Sequence, residues 1–186
     1  MGSFFVKKLL SRLITRPENE DNREGIDFLT YLHASFGDVE VEREVKTHTN
    51  CYLDLLVHIP SQKLVLIIEN KFHAGELVGQ LENYLEYAQK RFDDVDYTIL
   101  PIFLTLANAK PSEEIYWRLD YQDVLEIIEL HLELNKESIM DQIYDFLTFY
   151  TEVLREELVQ DEESVQLARS SIQTMKRAAF IPEDVI

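Results

Sequence analysis

The 186-residue sequence contains one cysteine, Cys51. A single thiol excludes an internal disulfide framework and a cysteine-rich zinc site, and makes an intracellular, cytoplasmic setting the expectation. No apolar run approaches the ~20 residues that span a bilayer, so no membrane partner is expected. The opening "MGSFFVKKLLSRLI" mixes lysines with apolar residues. It lacks a long uninterrupted apolar stretch and a small-residue cleavage site, and does not read as a signal peptide. Internal repeats, low-complexity tracts and evident linkers are absent too. Basic residues are scarce: 18 Lys and Arg stand against 35 Asp and Glu, a formal charge of -17. This argues against a general nucleic-acid coat protein, which carries a basic footprint. It leaves room for an enzyme that meets a polyanion through one local basic patch or through divalent cations. It also leaves room for a protein partner that supplies positive charge.

What is present is patterned. Hydrophobic residues make up 46% of the chain, enough for a core. Phe5, Leu9, Leu10 and Leu13 recur at helical spacing, and after the polar break "TRPENEDNREG" so do Ile26, Leu29, Leu32 and Phe36, with Gly37 as a stop. "VEVEREV", residues 39–45, alternates as a half-exposed strand, with Val39, Val41, Arg43 and Val45 on one side. "CYLDLLVHI" (51–59) and "KLVLIIENK" (63–71) read as two more strands, and the short link between them predicts an antiparallel hairpin. A helix is expected over about 74–91, then a strand over 97–106, where Pro101 suggests an edge position or a bulge. Helices over roughly 121–133, 136–159 and 161–178 complete an α/β layered fold around a mixed sheet, read as a single domain over 1–186.

The third strand ends abnormally. "LVLII" runs into Glu69, Asn70 and Lys71, and either charge buried without a partner is costly. Alternation puts Val65, Ile67, Glu69 and Lys71 on one face. On the preceding strand Tyr52, Asp54, Leu56 and His58 share a face, and a hairpin turning near residues 61 and 62 brings Asp54 opposite the stretch 69–71. Two carboxylates at one point repel, and one must keep a proton unless a cation intervenes. Oxygen ligands suit Mg²⁺ or Mn²⁺. Asp54 and Glu69 are the expected ligands, with the main-chain carbonyl of Asn70 as a further one. Lys71 is placed to orient or deprotonate an attacking water and to stabilise charge developing on a phosphate.

Asp54 followed by Glu69-Asn70-Lys71 on the next strand resembles the PD-(D/E)XK nuclease superfamily. The order helix, three strands, helix, strand is similar to that superfamily's core, over roughly residues 22–106, with a helical part from about 110 to 186 added. The stretch "FHAGELVGQLENYLEYA" supplies Gln80 and Tyr84, which resemble the Gln-x-x-x-Tyr motif of RecB-like branches and of bacterial members with an "ENK…Q…Y" pattern. The resemblance implies a restriction-endonuclease-like fold with a mixed central sheet flanked by helices. It implies metal-dependent hydrolysis of phosphodiesters, with DNA as the partner, in restriction, repair or defence. Asp54, Glu69 and Lys71 would be catalytic, and Gln80 and Tyr84 would contact substrate or support the metal site. An upstream acid on the first helix is a further family feature, for which Glu24 is the candidate and Glu20 the runner-up. Many relatives act as dimers, so a homodimer is a further expectation. The proline before Asp54 in the family motif is absent here; it carries no chemistry.

Each sharp reading has a plain counterpart. Glu-x-Lys at a strand end can be a surface ion pair, and Gln80 with Tyr84 can be an ordinary amphipathic helix face. The whole chain can be a nuclease-fold module that no longer cuts and serves as an interaction or regulatory domain. Arg43 and Lys46 are candidates for a local basic patch, whereas Lys90 and Arg91 read as solubilising charge. His58 and His73 could ligate metal or shuttle protons but more often pack. Trp117 and Tyr121 read as core anchors.

Overall fold

A computed structural model describes residues 2–72, 75–93, 96–106 and 109–179; of residues 162, 165 and 168–179 only the backbone is described. Helix α1 (Gly2–Thr15) buries Leu9, Leu10 and Leu13 of the expected stripe together with Val6, while Phe5 is only partly buried, and stops where Pro17 disfavours helix at the preceding residue. A 3-10 helix (Pro17–Arg23) follows, then the short α2 (Phe28–His33), capped by Asp27 accepting from the Thr30 amide at 3.3 Å. Three strands come next: β1 (Glu40–Lys46), β2 (Tyr52–Ile59) and β3 (Leu64–Lys71). After α3 (Gln80–Arg91) and β4 (Thr98–Thr105) come β5 (Trp117–Asp120), α4 (Tyr121–Asn135) and α5 (Asp141–Ala179).

The sheet has five strands in chain order. β1, β2 and β3 are antiparallel neighbours, while β3–β4 and β4–β5 are parallel, so the sheet is mixed. Both faces are covered. On one side lie α1, α2, α4 and α5, packed on Val57, Ile59, Leu64, Leu66, Ile68 and Ile102. On the other lies α3, whose Leu81, Tyr84 and Ala88 meet Leu53, Leu56, Val65 and Ile67. β3 is buried on both faces from Leu64 to Glu69, which is why its sequence is a continuous apolar run rather than an alternation.

Several features differ from the expectations. Pro101 sits in β4, a central strand between β3 and β5, and not at an edge. β5 begins only at the level of Ile102, so Pro101 stands where that side of β4 has no strand neighbour to bond. Helix α3 starts at Gln80, not near residue 74, because Gly79 enters it with φ of 71°. β5 was not foreseen. The last two expected helices form one continuous α5.

The alternation expected for β1 and β2 also fails at one point. Leu53 and Leu56 both pack on the α3 side, whereas Leu55 and Val57 pack on the other. On β1, Val45 faces α3 with its partner Leu53. Between the pairs Arg43–Leu55 and Val45–Leu53, one step of the register is missing, and it belongs to Glu44 and Asp54. Glu44 has φ of 51°, in the left-handed region. The two strands change face together, at the position that carries Asp54.

Candidate active site

The observed hairpin register, Leu55 with Ile68 and Leu56 with Ile67, carried one step further sets Asp54 opposite Glu69. Asp54 Oδ2 accepts a hydrogen bond from the Asn70 amide at 2.7 Å, which ties the aspartate to the end of β3. Glu69 is 1% exposed. Its Oε1 meets Lys71 Nζ at 2.7 Å, and its Oε2 is buried with no partner. Burial pushes the Glu69 carboxyl up to about 7; Lys71 draws it down, and the neighbouring Asp54 charge pushes it up again. The strand end thus concentrates negative charge that one lysine only partly offsets.

Lys71 is held from a second side. Its Nζ donates to Gln80 Oε1 at 2.9 Å, and the same oxygen accepts from the Leu77 amide at 3.3 Å. Gln80 Nε2 donates to the Tyr84 hydroxyl at 2.8 Å, which donates to the Tyr52 carbonyl at 2.6 Å. Burial raises the Tyr84 phenol above its ordinary value, so the hydroxyl keeps its proton and remains a donor. One chain of hydrogen bonds therefore runs from β3 through the first turns of α3 to β2. The i, i+4 spacing of Gln80 and Tyr84 is what lets both join it.

The Asn70 side chain points to the opposite face, where its Oδ1 accepts from the Tyr121 hydroxyl at 2.7 Å. Burial pushes the Tyr121 phenol up to about 12, which keeps it a donor. Tyr121 is a core residue as expected, at 5% exposure, and also a clamp on the motif strand. Nothing in the sequence signals that contact, because it spans 51 positions. Two clefts open at this end of the sheet. One, of about 620 Å³, is lined by Arg43, Glu44, Asp54, Leu55 and Asn70. The other, of about 430 Å³, includes Lys71, Thr105, Lys110 and Asp161.

Glu24 lies apart. It is exposed, just past the 3-10 helix, and that helix is tied to β5 through Asn19, whose side chain bonds the Arg118 amide at 2.7 Å. β3 and β4 separate β5 from the strand of Asp54. Among the described contacts none links Glu24 to Asp54, Glu69 or Lys71. Glu20 is likewise exposed, on the same 3-10 helix. His58 is engaged by Glu40 at 3.1 Å and Tyr97 at 3.0 Å and meets the Phe92 ring at a tilt, away from the strand end. His73 falls outside the described residues. Arg91 pairs with Glu42 at 2.6 Å and Lys90 with Glu86 at 2.6 Å. Among the described residues no group of three or more His, Cys, Asp or Glu side chains gathers as a metal cage. Magnesium does not require one: one or two carboxylates with waters and substrate phosphate complete its shell. The unpartnered Oε2 of Glu69 and the adjacent Asp54 fit that donor set.

A family model described as the PD-(D/E)XK nuclease superfamily matches residues 1–171. The chain belongs to that superfamily, and the five-stranded mixed sheet with flanking and C-terminal helices is consistent with its restriction-endonuclease-like fold. The match takes in α1 and most of α5, well beyond the stretch 22–106 that the motifs alone mark. No curated protein and no solved structure matches the chain. Membership points to nuclease function and hydrolysis of phosphodiesters. No described helix is long and apolar enough to cross a membrane.

Proposed function

We propose that this protein is a divalent-metal-dependent nuclease that hydrolyses phosphodiester bonds in DNA, in the service of restriction, repair or defence. The observation that carries the reading is the pairing of a buried carboxylate, Glu69, whose Oε2 has no partner, with Asp54 beside it and Lys71 at 2.7 Å. Asp54, Glu69 and the Asn70 carbonyl would hold Mg²⁺ or Mn²⁺. When bound, the metal supplies a Lewis acid for the phosphoryl oxygens and relieves the repulsion between the two carboxylates. Lys71 donates hydrogen bonds to the attacking water and to the phosphate on which charge develops. Gln80 and Tyr84 fix the Lys71 ammonium through the 2.9 Å and 2.8 Å hydrogen bonds, and so act as positioning residues. This is the part the "ENK…Q…Y" pattern plays here.

The test is cleavage of circular plasmid and of labelled single-stranded DNA with Mn²⁺, beside EDTA and Lys71→Ala controls. Cutting that disappears in both controls is expected, with the variant's circular dichroism unchanged. Cleavage that persists in Lys71→Ala would sink the mechanism. No cleavage by the wild type, together with no Mn²⁺ binding that depends on Asp54 and Glu69, would leave a nuclease-fold module that no longer cuts.

A further inference from the structure

A chain of net charge -17 repels a polyanion over most of its surface, so a phosphodiester strand must enter where local charge permits. Several described cations are already spent on carboxylates within the chain: Arg12 on Glu126, Arg16 on Asp120 and Asp123, Lys63 on Asp96, Arg91 on Glu42, and Arg155 on Glu129. Arg43 and Lys46 are different. Both are exposed, both stand on β1, and among the described residues neither holds a carboxylate. They flank the irregular step of β1: Arg43 pairs with Leu55 and Lys46 with Tyr52, one residue and two residues from Asp54. Arg43 moreover lines the same 620 Å³ cleft as Asp54 and Asn70.

The left-handed turn of the backbone at Glu44 accounts for this placement. In a regular strand Arg43 and Val45 would share a face. Here Val45 turns into the α3-side core, while Arg43 stays with Leu55 and Asn70 at the cleft. A guanidinium there can donate two parallel hydrogen bonds to a phosphate, which an ammonium cannot match.

We infer that Arg43 is a substrate-binding residue that takes a backbone phosphate of the nucleic-acid strand beside the Asp54–Glu69 site, with Lys46 adding a second, weaker contact along the β1 edge. This rests on the nuclease reading and adds to it the path of the substrate: along the β1 side of the sheet end toward Asp54, Glu69 and Lys71.

Binding is measured by fluorescence anisotropy with labelled single-stranded and duplex oligodeoxynucleotides over a range of salt, in the Lys71→Ala background so that no strand is cut. Arg43→Ala is expected to weaken binding about tenfold at low salt and to reduce the salt slope by about one. Arg43→Lys should keep the slope and recover only part of the affinity. Lys46→Ala should lose less, and Lys7→Ala, an exchange on α1, should lose nothing. If the parent binds and Arg43→Ala binds equally well with the same slope, the inference is overturned while the nuclease reading stands. If the parent binds neither oligonucleotide at any salt and the wild type cuts neither, the reading itself falls and this inference with it.

Discussion

Glu69 makes the pH behaviour of the metal-free protein predictable. Its carboxyl is raised from 4.5 to about 7 in the folded state, first by burial. A raised acid binds its proton more tightly folded than unfolded. Between pH 4.5 and 7 the folded state therefore holds a proton that the unfolded chain has released, and stability falls as pH rises through that window. The contribution is complete below about 4.5 and gone above about 7, on the order of 3 kcal/mol in all. Asp27, Asp38 and Glu86 are shifted the other way, by hydrogen bonds to Thr30, Ser61 and Lys90, so total stability is not a clean readout. The difference between wild type and Glu69→Gln is clean, since those groups cancel. Urea unfolding in EDTA at several pH values should show wild type losing ground to Glu69→Gln from pH 4.5 to 7, then a constant gap. A gap independent of pH would mean that Glu69 titrates normally. At the same scale, Asp54, Glu69 and Lys71 were legible because strand periodicity and hairpin length together fix which side chains meet. Glu24 rests on no such geometry, because an acid-rich stretch with no strand register offers several equivalent carboxylates and nothing to choose among them.

At the scale of elements, two local devices are open to test. The first is the relay that α3 extends to β3. Tyr84→Phe keeps the ring in its pocket beside Leu81 and Ala88 but removes the donor to the Tyr52 carbonyl and the acceptor for Gln80. The expected result is a loss of about 1–3 kcal/mol of stability and a fall in kcat of about tenfold or more with KM little changed, because Lys71 loses its alignment. A structural role alone would lower stability and leave kcat per folded molecule untouched. The second device is the irregular step at Glu44. Glycine adopts a φ of 51° without the steric cost that a Cβ incurs. Glu44→Gly should therefore be neutral to stabilising, by up to about 1 kcal/mol in urea unfolding, whereas Glu44→Val should destabilise. The reverse order would show that the glutamate side chain, not the backbone, holds the step. Most elements could be read from sequence because apolar spacing, short turns and Pro17 mark them. β5 could not: "WRLD" is four residues of a parallel strand joined to β4 with no hairpin turn to announce the pairing, and only tertiary pairing makes it a strand. The face change at Glu44 and Asp54 was hidden for a related reason. A rule of strict alternation has no term for a single left-handed residue.

On the scale of the whole molecule, the surplus of acids and the site are coupled. Self-repulsion at -17 lowers the stability of the compact state, and any cation relieves it by screening. A divalent ion bound as proposed would do more, because it would stabilise only the state in which Asp54 and Glu69 stand side by side. The two effects separate experimentally. At equal ionic strength, MnCl₂ should raise Tm beyond KCl, and the excess should grow with concentration as site binding requires, reaching about 2.7 kcal/mol when free Mn²⁺ is a hundred times Kd. Asp54→Asn and Glu69→Gln should each abolish the excess while leaving the KCl response intact, since screening acts on all the charges and binding on two. Lys71→Ala should retain it, because the lysine contributes no ligand. An excess that survives both carboxylate exchanges would place the divalent effect on the acidic surface at large, and the strand end would then be an ion pair without a metal. Removing the cation that now offsets Glu69 should destabilise the metal-free protein and enlarge the response to Mn²⁺, so a smaller response in that variant would count against the proposed ligand set even if catalysis were lost as expected.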